Sequence, residues 1–94
     1  MRTLIFDDSF RRALKRRCKN RPILQSKVLT TLSLLETNPF SSALKTHKLQ
    51  GELKDLWSCF VEYDFRIVFY FQKLEGEEEE AIVLVDVGTH DDVY

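Results

Sequence analysis

The fold turns on one stretch: Leu56-Trp57-Ser58-Cys59-Phe60-Val61-Glu62-Tyr63-Asp64-Phe65-Arg66-Ile67-Val68-Phe69-Tyr70-Phe71-Gln72. Upstream of it the apolar residues recur every three to four positions, and here the period changes to 2. Leu56 to Tyr63 reads as the first strand of a meander, Asp64-Phe65 lies near its turn, and Arg66 to Gln72 returns. Gly76 and the acidic run Glu77-Glu78-Glu79-Glu80 form the next loop. Ala81 to Val87 is a third long strand, and its Ile82-Val83-Leu84-Val85 run predicts burial on both faces.

Working back toward the N-terminus, Phe40 to Leu49 reads as loop, with room for a helical turn near Ser42-Lys45. Before it, Leu24, Val28, Thr31, Leu32 and Leu35 form the buried stripe of a helix from about Pro22 to Thr37. Pro suits a first helical turn, and Asn38-Pro39 ends the helix because the residue before Pro leaves the α region. An earlier helix spans about Ser9 to Lys19, capped by Asp7-Asp8-Ser9. Its Phe10, Ala13, Leu14 and Cys18 share one arc, and Arg11, Arg12, Lys15, Arg16 and Lys19 share the opposite one. Arg17 falls inside the apolar arc, so it must snorkel or reach a carboxylate on another element. Thr3-Leu4-Ile5-Phe6 is a short β-prone start. The order β-α-α-β-β-β predicts an α+β fold, in which an αα-hairpin covers one face of a mainly antiparallel sheet of about four strands. The other face is left for solvent or a ligand.

A chain of 94 residues is a single domain, 1–94. It is long enough to bury roughly 60–65% of its unfolded surface without staples. No apolar run exceeds the five residues of Ile67 to Phe71, so no segment spans a bilayer. The first residues reach Asp7-Asp8 too soon for a signal peptide. Cys18 and Cys59, with no CxxC spacing, read as reduced thiols of a cytoplasmic protein. The net charge of −1 conceals a split: residues 1–50 carry 11 Lys/Arg against 3 Asp/Glu, a net of +8, and residues 51–94 carry −9.

Nucleotide-binding glycine motifs and the GxSxG elbow are absent. The carboxylates come as loop runs without His at ligand spacing, which predicts no metal centre and no cofactor. What remains is His47, the junction Asp64-Phe65-Arg66, and His90 with Tyr94. Each histidine alone is an ordinary surface residue. Arg66 inside an apolar strand must face solvent, pair with Asp64 or Asp86, or bind an anion. Together these groups fit metal-free RNA cleavage. His takes the proton of a ribose 2′-OH as it attacks the phosphate, Arg meets the developing charge, and an acid protonates the leaving oxygen.

Three segments carry a resemblance. Leu44-Lys45-Thr46-His47-Lys48-Leu49-Gln50-Gly51, the strand pair Trp57 to Phe69, and Asp86-Val87-Gly88-Thr89-His90-Asp91-Asp92-Val93-Tyr94 resemble the RelE/ParE superfamily of type II toxin–antitoxin toxins, in its YafQ-like mRNA-interferase branch. The resemblance implies a RelE-like fold and a cytoplasmic toxin that cleaves mRNA on the ribosome without a metal. A cognate antitoxin from the same operon would neutralise it. It assigns the site to His47, Asp64, Arg66, His90 and Tyr94: one His as base, the other as acid, Arg66 on the phosphate, Asp64 orienting a His, and Tyr94 stacking or donating. Phe60 stands where the YafQ pattern has a further His, and Phe65 where it has Trp. Arg11, Arg12, Lys15, Arg16 and Lys19, with Lys45 and Lys48, would face RNA. The alternatives are a ParE-like DNA gyrase inhibitor and an inactive relic that only binds its antitoxin. A position for Glu77–Glu80 beside Arg66 and His90 would weaken the RNA reading.

Overall fold

The computed structural model describes all 94 residues. Strand β1 (Leu4–Phe6) leads into α1 (Asp8–Arg17) and α2 (Pro22–Thr37). After a single 3-10 turn at Ser42–Leu44 come β2 (His47–Lys48), a second such turn at Gly51–Leu53, and the strands β3 (Trp57–Glu62), β4 (Phe65–Gln72) and β5 (Ala81–Gly88). A four-residue helix α3 (His90–Val93) closes the chain. The five strands form one sheet in the order β1-β5-β4-β3-β2. β1 runs parallel to β5 and every other pair is antiparallel.

The α+β reading therefore holds, with the αα-hairpin on one face of the sheet. The fifth strand is the edge pair His47–Lys48, which lay within the expected loop. It is too short to show a period of 2. The sequence marks no element after Val87, and His90–Val93 folds as α3.

Local chemistry explains the helix borders. Asp7 caps α1 by accepting from the Ser9 N–H at 3.3 Å. Asn20 adopts a left-handed φ of 58° in the tight turn between the helices, a conformation Asn tolerates. Pro22 opens α2, and Asn38 ends it before Pro39.

Fifteen buried side chains form one core between the helices and the sheet. Phe10, Val28, Leu35, Ile67, Phe69, Ile82, Leu84 and Val87 are fully enclosed. Burying each such side chain contributes about 1.5–3 kcal/mol. Strand alternation then fixes the other face of the sheet. On β4, Phe65, Ile67 and Phe69 enter the core, so Arg66, Val68 and Tyr70 point away from the helices. β5 is central, and its Ile82-Val83-Leu84 run is buried as its composition predicts.

The acidic loop is anchored at the start of β5. There Glu77 accepts from Thr3, Glu79 lies 3.8 Å from Arg2, and the Glu80 carbonyl accepts from Arg2 at 3.0 Å. His90 follows its far end. Roughly 23 Å of strand, at about 3.3 Å per residue, keeps the acidic loop away from His90 and Arg66.

Candidate active site

His47 stands on the edge strand β2, paired with Ser58 of β3. The loop before it is pinned where the Thr46 hydroxyl donates to the Pro39 carbonyl at 2.6 Å. Lys45 takes a left-handed φ of 50°, which turns its carbonyl back onto the His47 ring, 2.9 Å from Nδ1. A carbonyl oxygen only accepts, so Nδ1 carries the hydrogen. In the neutral ring the lone pair is left on Nε2, free to take a proton. Lys48 pairs with Trp57 and so points to the opposite face of the sheet from His47.

Asp64 sits in the β3–β4 turn with a φ of 53°. Its Oδ1 accepts two donors: the backbone N–H of His90 at 3.1 Å and the Arg66 guanidinium at 3.3 Å. The contact with His90 is to its backbone, not its ring. Asp64 therefore satisfies a free N–H at the start of α3 and fixes where that helix begins. The Arg66 contact is long for a charge-assisted bond, and one contact leaves most of the guanidinium's five N–H groups available. Arg66 also lies over the Tyr94 ring, 5.5 Å from its centroid, and His90 meets Tyr94 edge-on at 4.7 Å.

Three further residues hold α3 in place. Thr89 caps it in a reciprocal box with Asp92: the Asp92 N–H donates to the Thr89 hydroxyl at 3.2 Å, and the Thr89 N–H donates to Asp92 Oδ2 at 3.0 Å. The Thr89 N–H holds the Asp92 carboxyl below its ordinary value, helped by the Thr89 hydroxyl and more weakly by Arg17 and Arg16. Arg17 ends α1 and donates to Asp86 at 2.7 Å and to the Val87 carbonyl at 2.9 Å, with Asp92 at 3.8 Å. Gly88 lies between them. A Cβ there would meet Asp92 Cβ at 2.7 Å and Arg17 Nη1 at 2.9 Å.

On the face away from the helices, Lys45, His47, Ser58, Cys59, Phe60 and Arg66 line a cleft of about 340 Å³. Burial pushes the Cys59 thiol up to about 12, so it stays protonated and is no nucleophile. No three His, Cys, Asp or Glu side chains gather where they could hold a metal ion.

The structure thus brings His47, Lys45 and Arg66 into one cleft, and joins Arg66 to Asp64, His90 and Tyr94. It leaves Arg11, Arg12, Lys15, Arg16 and Lys19 exposed along the outer side of α1 and just past its end. Reading the sequence missed Asp86, Gly88, Thr89 and Asp92 as supports of the site. The Thr89-x-x-Asp92 spacing, a short capping-box pattern, was the available signal. Arg17 was flagged by its place in the apolar arc.

Architecture and site together define a small α+β protein with a polar cleft on the open face of its sheet. YafQ from E. coli strain BL21(DE3) superposes with a TM-score of 0.76 at 21% identity, over 100% of this chain and 99% of that one. A metal-bound toxin from Helicobacter pylori gives a TM-score of 0.70 at 29% identity, with both chains covered in full (100%). The toxin chain of the E. coli DinJ-YafQ toxin–antitoxin complex gives 0.73 at 22% identity, over 99% of this chain and 97% of that one. No curated protein matches the sequence. Residues 2–94 match the family described as bacterial toxin of type II toxin-antitoxin system, YafQ, and the chain belongs to that family.

Proposed function

We propose that this toxin is an mRNA endoribonuclease that works with protein groups alone, in the cytoplasm and on ribosome-bound message. The observation that carries the reading is the shared cleft of His47, Lys45 and Arg66, with Arg66 linking it to His90 and Tyr94. His47 Nε2 takes the proton of the ribose 2′-OH, because its Nδ1 is committed to the Lys45 carbonyl. The 2′-oxygen attacks the adjacent phosphorus, and the bond to the 5′-oxygen breaks. Arg66 stabilises the charge that builds on the phosphoryl oxygens. His90 protonates the leaving oxygen, with Tyr94 beside it. Asp64 acts by position, holding the start of α3 and one side of Arg66.

Lys45 meets an RNA phosphate at the cleft, and the exposed cations of α1 with Lys48, on the sheet's other side, meet phosphates of surrounding RNA. The remoteness of Glu77–Glu80 supports this polarity. A cognate antitoxin neutralises the protein, as the family description and the DinJ-YafQ complex suggest. An acidic and apolar segment that orders on binding would suit the basic outer side of α1.

The test is induced expression followed by primer extension on cellular mRNA. Position-specific breaks with the native chain, absent with Arg66→Ala, are expected. Gyrase-dependent DNA breaks, or an Arg66→Ala chain that still arrests growth fully, would overturn the reading.

A further inference from the structure

Phe60 is the one aromatic side chain lining the cleft, among Lys45, His47, Ser58 and Arg66. The ring is partly exposed and outside the core, and it makes no ring–ring contact. The Lys45 ammonium lies over the ring, 4.8 Å from its centroid. Across the sheet Phe60 is register partner to Arg66, which puts the two side chains on one face as neighbours. A row results in which cations and rings alternate: Lys45 over Phe60, Phe60 beside Arg66, Arg66 over Tyr94.

Phe60 keeps 38% of its surface exposed at the edge of a cleft that holds two cations. It has the form of a surface for single-stranded nucleic acid, where cations follow the backbone and aromatic faces take the bases. The cleft volume of about 340 Å³ is near the lower limit for small-molecule sites, roughly 300–1,000 Å³. That suits one unstacked nucleotide.

We infer that Phe60 is a stacking platform for a nucleobase of single-stranded RNA, on the opposite side of the Arg66-bound phosphate from Tyr94. The inference rests on the RNA-cleavage reading above. The smallest unit recognised is then a dinucleotide, one base on Phe60 and the next on Tyr94, with its phosphate at Arg66. In the free protein the Lys45 ammonium covers the Phe60 face by a cation–π contact. An arriving base takes that face, and the ammonium moves to a phosphate oxygen.

The probe is a fluorescently labelled, random-sequence RNA hexamer methylated at every 2′-oxygen, which cannot be cleaved. Its affinity for the full chain is read by anisotropy. Stacking is worth about 1–3 kcal/mol per base, so Phe60→Leu should weaken binding about 5- to 150-fold and Phe60→Trp should preserve or tighten it. Leu keeps the apolar bulk and removes the π face, so equal affinity for native and Phe60→Leu chains overturns the stacking role. A native chain that fails to bind the hexamer overturns this inference, while the cleavage reading stands or falls on the primer-extension test above. Circular dichroism of both variants confirms that they remain folded.

Discussion

The two histidine-bearing regions are built on opposite plans. His47 sits on a two-residue edge strand, oriented by neighbours: the Lys45 carbonyl two positions back, and a Thr46 hydroxyl bound to Pro39. His90 sits on a four-residue helix, and distant residues hold it. Asp64 is 26 positions away, and the Arg17 bond to Asp86 spans 69. A helix this short has no stability of its own, so tertiary contacts must supply all of it. The first histidine is therefore sensitive to changes in its own loop, and the second to changes almost anywhere around its seat.

The strongest test of this contrast replaces each histidine with Ala. Either change should lower mRNA cleavage about 10²–10⁴-fold, measured by primer extension. A loss below tenfold for one would remove that region from the chemistry. Next is Gly88→Ala, which touches no proposed catalytic group. Its Cβ would stand 2.7 Å from Asp92 Cβ, so α3 must shift. Displacement of a reacting group by about 1 Å can cost about 10²-fold in rate, and overpacking costs about 1–3 kcal/mol by urea unfolding. His47 ring resonances should stay put while those of His90 and Tyr94 move. If all stay put, α3 is not seated as described.

Thr46→Val tests the other region and should be milder. It leaves the Pro39 carbonyl without its hydroxyl donor, at a cost of about 1–2 kcal/mol, with His47 signals moving and α3 unchanged. The smallest effect concerns pH. The Asp92 carboxyl is held below its ordinary 3.8, so its ionised form favours the folded state above that value. The contribution is lost as pH falls through the lowered folded value. In melts between about pH 2 and 5, Asp92→Asn should show a flatter acid limb than the native chain. A steeper or equal limb would mean Thr89 and Arg17 do not hold that carboxylate.

The same contrast explains what could be read from the chain. α2 was legible end to end, because Pro22 and Asn38-Pro39 mark its borders and five apolar positions mark its buried side. β3 and β4 showed through their period of 2, and β5 through its unbroken apolar run Ile82-Val83-Leu84-Val85. Arg17 was legible as an anomaly in its apolar arc, and the structure gives it Asp86. α3 was hidden, since four residues contain no stripe and Arg17, which stabilises it, lies at the other end of the sequence. The pair His47–Lys48 was hidden for a similar reason. At the site, residue types and motif spacing pointed to His47, Asp64, Arg66, His90 and Tyr94 as a group. The orientation of each ring was not readable, because a backbone carbonyl and a backbone N–H set it. Asp64 shows the difference: expected to orient a His, it binds the His90 backbone.

The separation of the Glu77–Glu80 loop from the α1 cations has a kinetic consequence. A protein with acids tied around Arg2 at one end of the sheet and exposed Arg11, Arg12, Lys15, Arg16 and Lys19 along the outer side of α1 carries a permanent dipole moment despite a net charge of −1. In the field of a polyanion that moment produces a torque before any contact forms, turning Glu77–Glu80 outward and the basic side of α1 inward. Productive collisions then become more frequent than random tumbling allows. The bias acts over about 8 Å at physiological ionic strength and shrinks as salt is added.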